Sequence, residues 1–268
     1  MDTLGYGAIG IAILIAAAFA IQSLTRRSVR DETLTAHRTS SQAVLGVVGT
    51  LFSILIGFMV ASSLDAYREA KHHVEAEANA LGSMFRLARG LSEVDRVRIR
   101  ELCRQYCDVV IDSEWKDMEH KQTSTLAWTK YRELWNASIS VAPKDTRESN
   151  IQQALLAAAY NFAEHRRARI VDSQAELPTA LWLVISIGAV IITIVIACVF
   201  VAEQVVFQRF LLSFVAISLG LNVWLLSVFS APFSGALKLQ PSPFLLDRNV
   251  IFKEPDTAPE YMSGNERK

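Results

Sequence analysis

Gln42 to Leu64 (QAVLGVVGTLFSILIGFMVASSL) carries no charge, and the segment after it, DAYREAKHHVEAEANALGSMF from Asp65 to Phe85, is highly charged and free of proline. At about 1.5 Å of rise per residue the first part covers a hydrocarbon core of about 30 Å as a helix. The second part is rich in Ala, Glu, Lys and Arg, which favour helix. The two therefore read as one rod that leaves the membrane without breaking, and every other part of the chain has to be arranged around it.

Three more uncharged runs accompany it. Leu4 to Leu24 is long enough to span, and its flanks argue for a retained helix over a cleaved leader: Met1-Asp2-Thr3 lacks a basic start, and Arg26 and Arg27 follow the run. Thr179 to Ala202 starts just after Pro178, where a missing N–H costs little, and Phe210 to Ala231 closes the set with Asn222 as its only amide. A composition of 51% hydrophobic and 20% charged residues is thus segregated along the chain instead of mixed through one globule. The expected fold is all-α: four transmembrane helices, with a helical extramembrane domain between the second and third. The segments are 1–64 (spans one and two with a short basic connector), 65–176 (soluble helical domain), 177–235 (spans three and four) and 236–268 (a polar C-terminal tail, loosely ordered beyond about Asp247).

Within the middle segment, Ser92 followed by Asp95 carries a helix-capping signature, and Ile99, Leu102, Tyr106 and Val110 then recur at helical spacing. Leu126, Leu134, Trp135 and Ile139 mark a second apolar face ending before Pro143. Asp145 or Thr146 caps a third, with Ile151, Leu155, Ala158 and Phe162, that runs toward Arg169.

Several functions are excluded or disfavoured. Lys plus Arg number 27 and Asp plus Glu 27, so no basic excess points to nucleic acid. No GxGxxG, P-loop, HExxH or GxSxG is present; no catalytic residue, no metal and no cofactor is expected, and the chain does not read as an enzyme. The three cysteines, Cys103, Cys107 and Cys198, form no CxxC pair and read as buried thiols. His73 and Glu77, four apart, share a helix face, but two ligands make no metal site, and the face reads as solvated or intersubunit. His165, Arg166, Arg167 and Arg169 read as a basic flank able to draw anions or lipid headgroups. Ionisable groups are missing from the interior of all four runs, which argues against an acid-coupled carrier; an anion path can use hydroxyls, backbone amides and an apolar constriction instead. On the second span, Gly46, Thr50, Ser53, Gly57 and Ala61 fall on one face, open either to helix packing or to pore lining. Asn222 is a candidate for hydrogen bonding between helices.

Ile56-Gly57-Phe58 followed by Glu69-Ala70-Lys71 resembles the second transmembrane helix of bestrophin anion channels. The whole chain, from about Leu4 to Phe244, is more closely similar to the bacterial bestrophin-like membrane proteins, a family with a domain of unknown function. That likeness rests on the order of segments, on Glu77-Ala78-Asn79 and on Pro232-Phe233-Ser234-Gly235. The resemblance implies a homo-oligomer, with five subunits the bestrophin number, in the inner (plasma) membrane, its central domain and termini cytoplasmic. It implies chloride or another small anion as the permeant species, and places an apolar neck at Ile54 and Phe58. Two departures stand out: Thr50 is polar where the neck pattern is bulky and apolar, and Tyr67-Arg68 replaces a Trp-rich exit. A reading from another class is a non-conducting membrane scaffold whose helical domain binds a partner.

Overall fold

The computed structural model describes residues 3–28, 38–199, 204–234 and 237–256, and among them helix and turn are the only regular structure. The helices are α1 Thr3–Ser28, α2 Arg38–Leu87, α3 Glu93–Val109, α4 Trp115–Glu119, α5 Thr125–Ile139, α6 Thr146–Gln174, α7 Thr179–Val199, α8 Val205–Phe229 and α9 Ser242–Asn249. The chain divides into two compact units. One gathers the described residues up to Tyr67 with Glu176–Ala231 and Leu237; the other holds Arg68–Ala175, Pro232–Ser234 and the chain from Lys238 onward.

Helix α2 belongs to both units, and its 50 residues run without interruption, about 75 Å at the α-helical rise. Its continuity follows from composition: no proline interrupts it, and the part after the apolar half is rich in Ala, Glu, Lys and Arg, good helix formers. Three helices are long and apolar enough to cross a membrane, namely α2, α7 and α8. Helix α1 has 26 residues, and its apolar stretch among described side chains is the shorter Ile15–Leu24.

In the apolar unit, α2 turns Phe52, Ile56, Met59 and Ser63 inward, spaced four, three and four apart. Phe52, Ile56 and Met59 pack with Ile185, Ala189, Ile192 and Ile196 of α7 and with Leu212 and Leu226 of α8. The Phe52 ring of α2 lies directly on Gly188 of α7: a Cβ there would sit 2.2 Å from Cε2 of Phe52. Helix α1 packs on α7 and α8, and a buried bond from Gln22 Nε2 to Gln208 Oε1 (2.7 Å) ties α1 to α8. Asn222 does not join helices as expected; it is exposed, and its amide donates to Ser218 O of its own helix at 2.9 Å. One turn back along α8 is the nearest carbonyl, and that local bond wins.

In the second unit the expected caps are in place. Ser92 Oγ accepts from Asp95 N at 3.3 Å, and Asp145 Oδ1 accepts from Glu148 N at 2.7 Å. Ile99, Tyr106, Val110, Leu134, Leu155 and Phe162 form the interior. Leu126 and Ile139 are exposed, so α5 buries only part of the face read from its sequence. Between α3 and α4, Val110–Glu114 is a π-helical turn. This widened turn carries Glu114 into the interior. The expectation of a tail loose beyond about Asp247 is corrected for its described part: residues 242–253 form α9 and a 3₁₀ turn, with Phe244 and Phe252 buried, while residues 257–268 lie outside the described residues. Phe252 meets Phe85 at a ring-centroid distance of 4.6 Å. Arg104 donates from Nε to Phe252 O at 3.1 Å and forks onto Asp256 at 3.3 and 3.0 Å. Arg100 donates to Glu254 O at 2.7 Å. Prolines that suggested a loose segment are instead placed where helices tolerate them, Pro241 capping α9 and Pro243 in its first turn.

Candidate pore-lining face and buried ion network

In the apolar unit, one side of α2 is left uncovered by the other described residues. Ile54 is 65% exposed and Phe58 74% exposed. Gly46, Thr50, Ser53, Gly57 and Ala61 are exposed as well, and a Cβ added at Gly46, Gly49 or Gly57 would meet nothing within 4 Å. Among the described residues, no helix of the same chain therefore packs on the small-residue stripe. It borders an open groove of about 750 Å³ rimmed by Ile192 and Ile196 of α7 and by Phe214 and Ser218 of α8.

The hydroxyls on this face have a direction. Thr50 Oγ1 donates to Gly46 O at 2.7 Å and Ser53 Oγ to Gly49 O at 2.8 Å. With their hydrogens committed to the helix, both present only oxygen lone pairs outward, which repel rather than solvate an anion. Ile54 and Phe58, one turn apart, present pure hydrocarbon.

The second unit contains a feature that sequence reading missed. Glu77 of α2, Tyr106 of α3, Glu114 of the π turn, and Arg166 and Arg169 of α6 are all buried. Arg166 grips Glu114 with both terminal nitrogens, at 2.9 and 2.7 Å. Arg169 bridges the two acids, from Nη2 to Glu114 Oε2 at 2.8 Å and to Glu77 Oε1 at 3.0 Å, with Nε on Glu77 Oε2 as well. The Tyr106 hydroxyl donates to Glu77 and accepts from Arg166. Two acids balance two guanidinium groups, so the cluster is neutral as a whole.

Its protonation follows from that balance. Burial works to raise the Glu114 carboxyl, but the charges and hydrogen bonds of Arg169 and Arg166 outweigh it and hold Glu114 below the usual range. Burial pushes the Tyr106 phenol well up. Burial opposes the charge on Arg169, yet Glu77 and Glu114 keep it firmly protonated.

Two expectations are overturned here. Arg166 and Arg169 do not form a basic surface that draws anions or headgroups, because their charges are spent on Glu114 and Glu77 inside the domain. His73 and Glu77 are not partners on a solvated face: His73 Nδ1 lies 2.7 Å from Asp172 Oδ2, while Glu77 points inward to Arg169. Ala78 is buried beside Glu77 and Asn79 is exposed. Of the C-terminal motif, Pro232 and Phe233 are buried, Phe233 against Trp115 at 5.8 Å, and Ser234 is exposed; Gly235 lies outside the described residues. Cys103 and Cys107 are free and buried, with burial raising both thiols out of the reactive range. The side chain of Cys198 lies outside the described residues. Tyr67 Oη donates to Leu237 O at 2.9 Å and its ring meets Phe229 edge-on, so its hydroxyl is occupied.

Helices long and apolar enough to span, an exposed apolar face on α2 and an all-helical unit closed by a returning C-terminal segment define a helical membrane protein of the bestrophin type. The chain belongs to the bestrophin-like family: the model of the Bestrophin-like domain matches residues 12–244. Its backbone is similar to crystal structures of a bacterial bestrophin homologue from Klebsiella pneumoniae. One, a single-residue variant, has a TM-score of 0.67 at 14% identity and covers 94% of this chain and 96% of that one. Another has a TM-score of 0.64 at 13% identity, covering 90% and 96%. A further structure, described as a membrane protein, has a TM-score of 0.64 at 12% identity, covering 92% and 96%. No curated protein matches the chain.

Proposed function

We propose that several copies of this chain assemble in the inner membrane around an axis lined by α2 and form a channel for chloride or another small anion. Ile54 and Phe58 are its constriction. The observation that carries the reading is their exposure on a helix whose opposite face is packed into the apolar core: apolar side chains one turn apart, left open by the described residues, suit a ring of hydrocarbon that gates by dewetting. The hydroxyls of Thr50 and Ser53, with their hydrogens turned inward, support hydrophobic gating over coordination of the ion at that level. The domain that follows α2 out of the membrane, together with the termini, faces the cytoplasm in this reading, as in bestrophins.

The test is chloride flux from liposomes holding the purified protein. Phe58→Ala widens and wets the constriction and is expected to raise flux several-fold over the wild type, with Ile54→Ala acting in the same direction. Flux absent from both the wild type and Phe58→Ala overturns the reading. A second reading, a scaffold that binds a partner, is favoured by one observation: an open cavity of about 730 Å³ on the helical unit, walled by Trp128, Tyr131, Trp135 and Tyr160. Such aromatic surfaces are common where proteins meet. A stoichiometric partner that co-purifies and is lost in Tyr160→Ala supports it.

A further inference from the structure

In the helical unit, α2 and α6 also bring three imidazoles together. The rings of His72, His73 and His165 have centroids 6.1, 5.9 and 5.8 Å apart, nearly an equilateral triangle. Behind one of them stands a carboxylate: Asp172 Oδ2 is 2.7 Å from His73 Nδ1. A carboxylate in that position takes the Nδ1 hydrogen, leaving Nε2 with a free lone pair and a more basic ring, the arrangement that orients metal-ligating histidines. Nδ1 of His165 is buried and has no hydrogen-bond partner. Neither the proposed channel nor the buried ion network uses any of these groups.

We propose that His72, His73 and His165 form a site for a divalent transition-metal ion, zinc being the reference ion, with Asp172 as the residue that positions His73. Imidazole suits zinc, nickel and copper. With metal–nitrogen bonds of about 2.0–2.1 Å, two imidazoles on one tetrahedral or trigonal ion have ring centroids about 5.2–5.5 Å apart. The triangle is wider than that by less than about 1 Å. As the side chains stand, no group of three His, Cys, Asp or Glu among the described residues is placed to hold a metal ion, so the site requires the rings to move. Closure needs exposed His72 to turn about χ1 and χ2 toward the other two rings, and the His73–His165 pair, 5.8 Å apart, to draw together by about 0.3–0.6 Å. A bound ion would add a link between α2 and α6 to those made by His73 with Asp172 and Glu77 with Arg169.

The experiment is zinc titration of the full-length protein in detergent, stripped with EDTA, by calorimetry and by competition with a chromogenic chelator at pH 7.5. One zinc per chain with micromolar or tighter affinity is expected. His72→Gln and His165→Gln should each weaken it at least ten-fold, and Asp172→Asn by about 10–100-fold. His120→Gln, at a residue just past the end of α4 whose ring bonds Lys116 O at 3.0 Å, should leave it unchanged. Zinc should also raise the melting temperature of the wild type and not of the His72→Gln variant. Because His72 is exposed, that variant keeps the test open even if His165→Gln fails to fold. Absence of saturable zinc binding, or binding unaffected by both substitutions, overturns the proposal.

Discussion

Arg169 touches both carboxylates of the buried network, so removing it strands two charges at once. Arg169→Met is expected to cost about 3–5 kcal/mol, the range for breaking a buried pair from one side, while Arg169→Lys should cost less because it keeps the charge but not the fork. Urea unfolding followed by helical signal measures both, and equal stabilities for Met and wild type would show that the network does not hold the domain. Asp247 poses the opposite problem. It is buried, its Oδ2 has no hydrogen-bond partner, and burial raises its carboxyl to about 7. The folded state therefore binds this proton more tightly than the unfolded state. Its contribution is most favourable below the ordinary value near 3.8, declines as pH rises toward about 7 and is flat above. Asp247→Asn should raise stability at pH 8 by about 1–3 kcal/mol and change it little at pH 4. A melting-temperature difference that does not grow with pH contradicts this. Legible features at this scale were local: Ser92 and Asp145 announce helix starts through chemistry confined to three residues. Arg166 and Arg169 were misread because their neutralising partners are 52 and 92 positions away, and a sequence shows only the positive half of such a pair.

At the scale of elements, hydropathy located α2, α7 and α8, the three described helices long and apolar enough to cross a membrane, whereas α1, read as a fourth span, shows only the shorter apolar stretch Ile15–Leu24; the absence of proline revealed that α2 continues past its apolar half. Packing between helices was less visible. Nothing in the sequence of α7 marks Gly188 as the point of contact with Phe52, because a glycine in an apolar run is compatible with any face. Gly188→Leu drives a side chain into that ring and should destabilise the apolar unit by about 1–3 kcal/mol. Adding Phe52→Ala should recover part of the loss, as judged by thermal stability in detergent; a wild-type melting curve for Gly188→Leu alone would overturn the contact. The π turn at Val110–Glu114 was invisible for a different reason: one inserted residue leaves the apolar period almost intact while rotating the helix on its C-terminal side. The C-terminal helix was hidden by prolines, although Phe244 and Phe252, eight apart, were an available sign of a buried segment.

For the molecule as a whole, the exposure of Ile54 and Phe58 predicts a ring around an axis, its copy number carried over from the bestrophins. A closed ring of about five copies by native mass, the bestrophin number and a cyclic assembly, is the expected result for the detergent-purified protein. A monomer would leave those side chains without an axis to line and would count against the channel. Another consequence comes from the discontinuity of the helical unit. Arg100, Arg104 and Phe85 lie early in the chain, and the groups that satisfy them, Glu254, Phe252 and Asp256, come after the last two apolar helices. During synthesis the domain begun at Arg68 must wait, with that apolar and cationic surface bare, until the ribosome has delivered α7 and α8 and then the residues beyond them. Its final consolidation is a late event that reports completion of the membrane part, and a chain interrupted before residue 242 would present quality-control machinery with an unfinished domain.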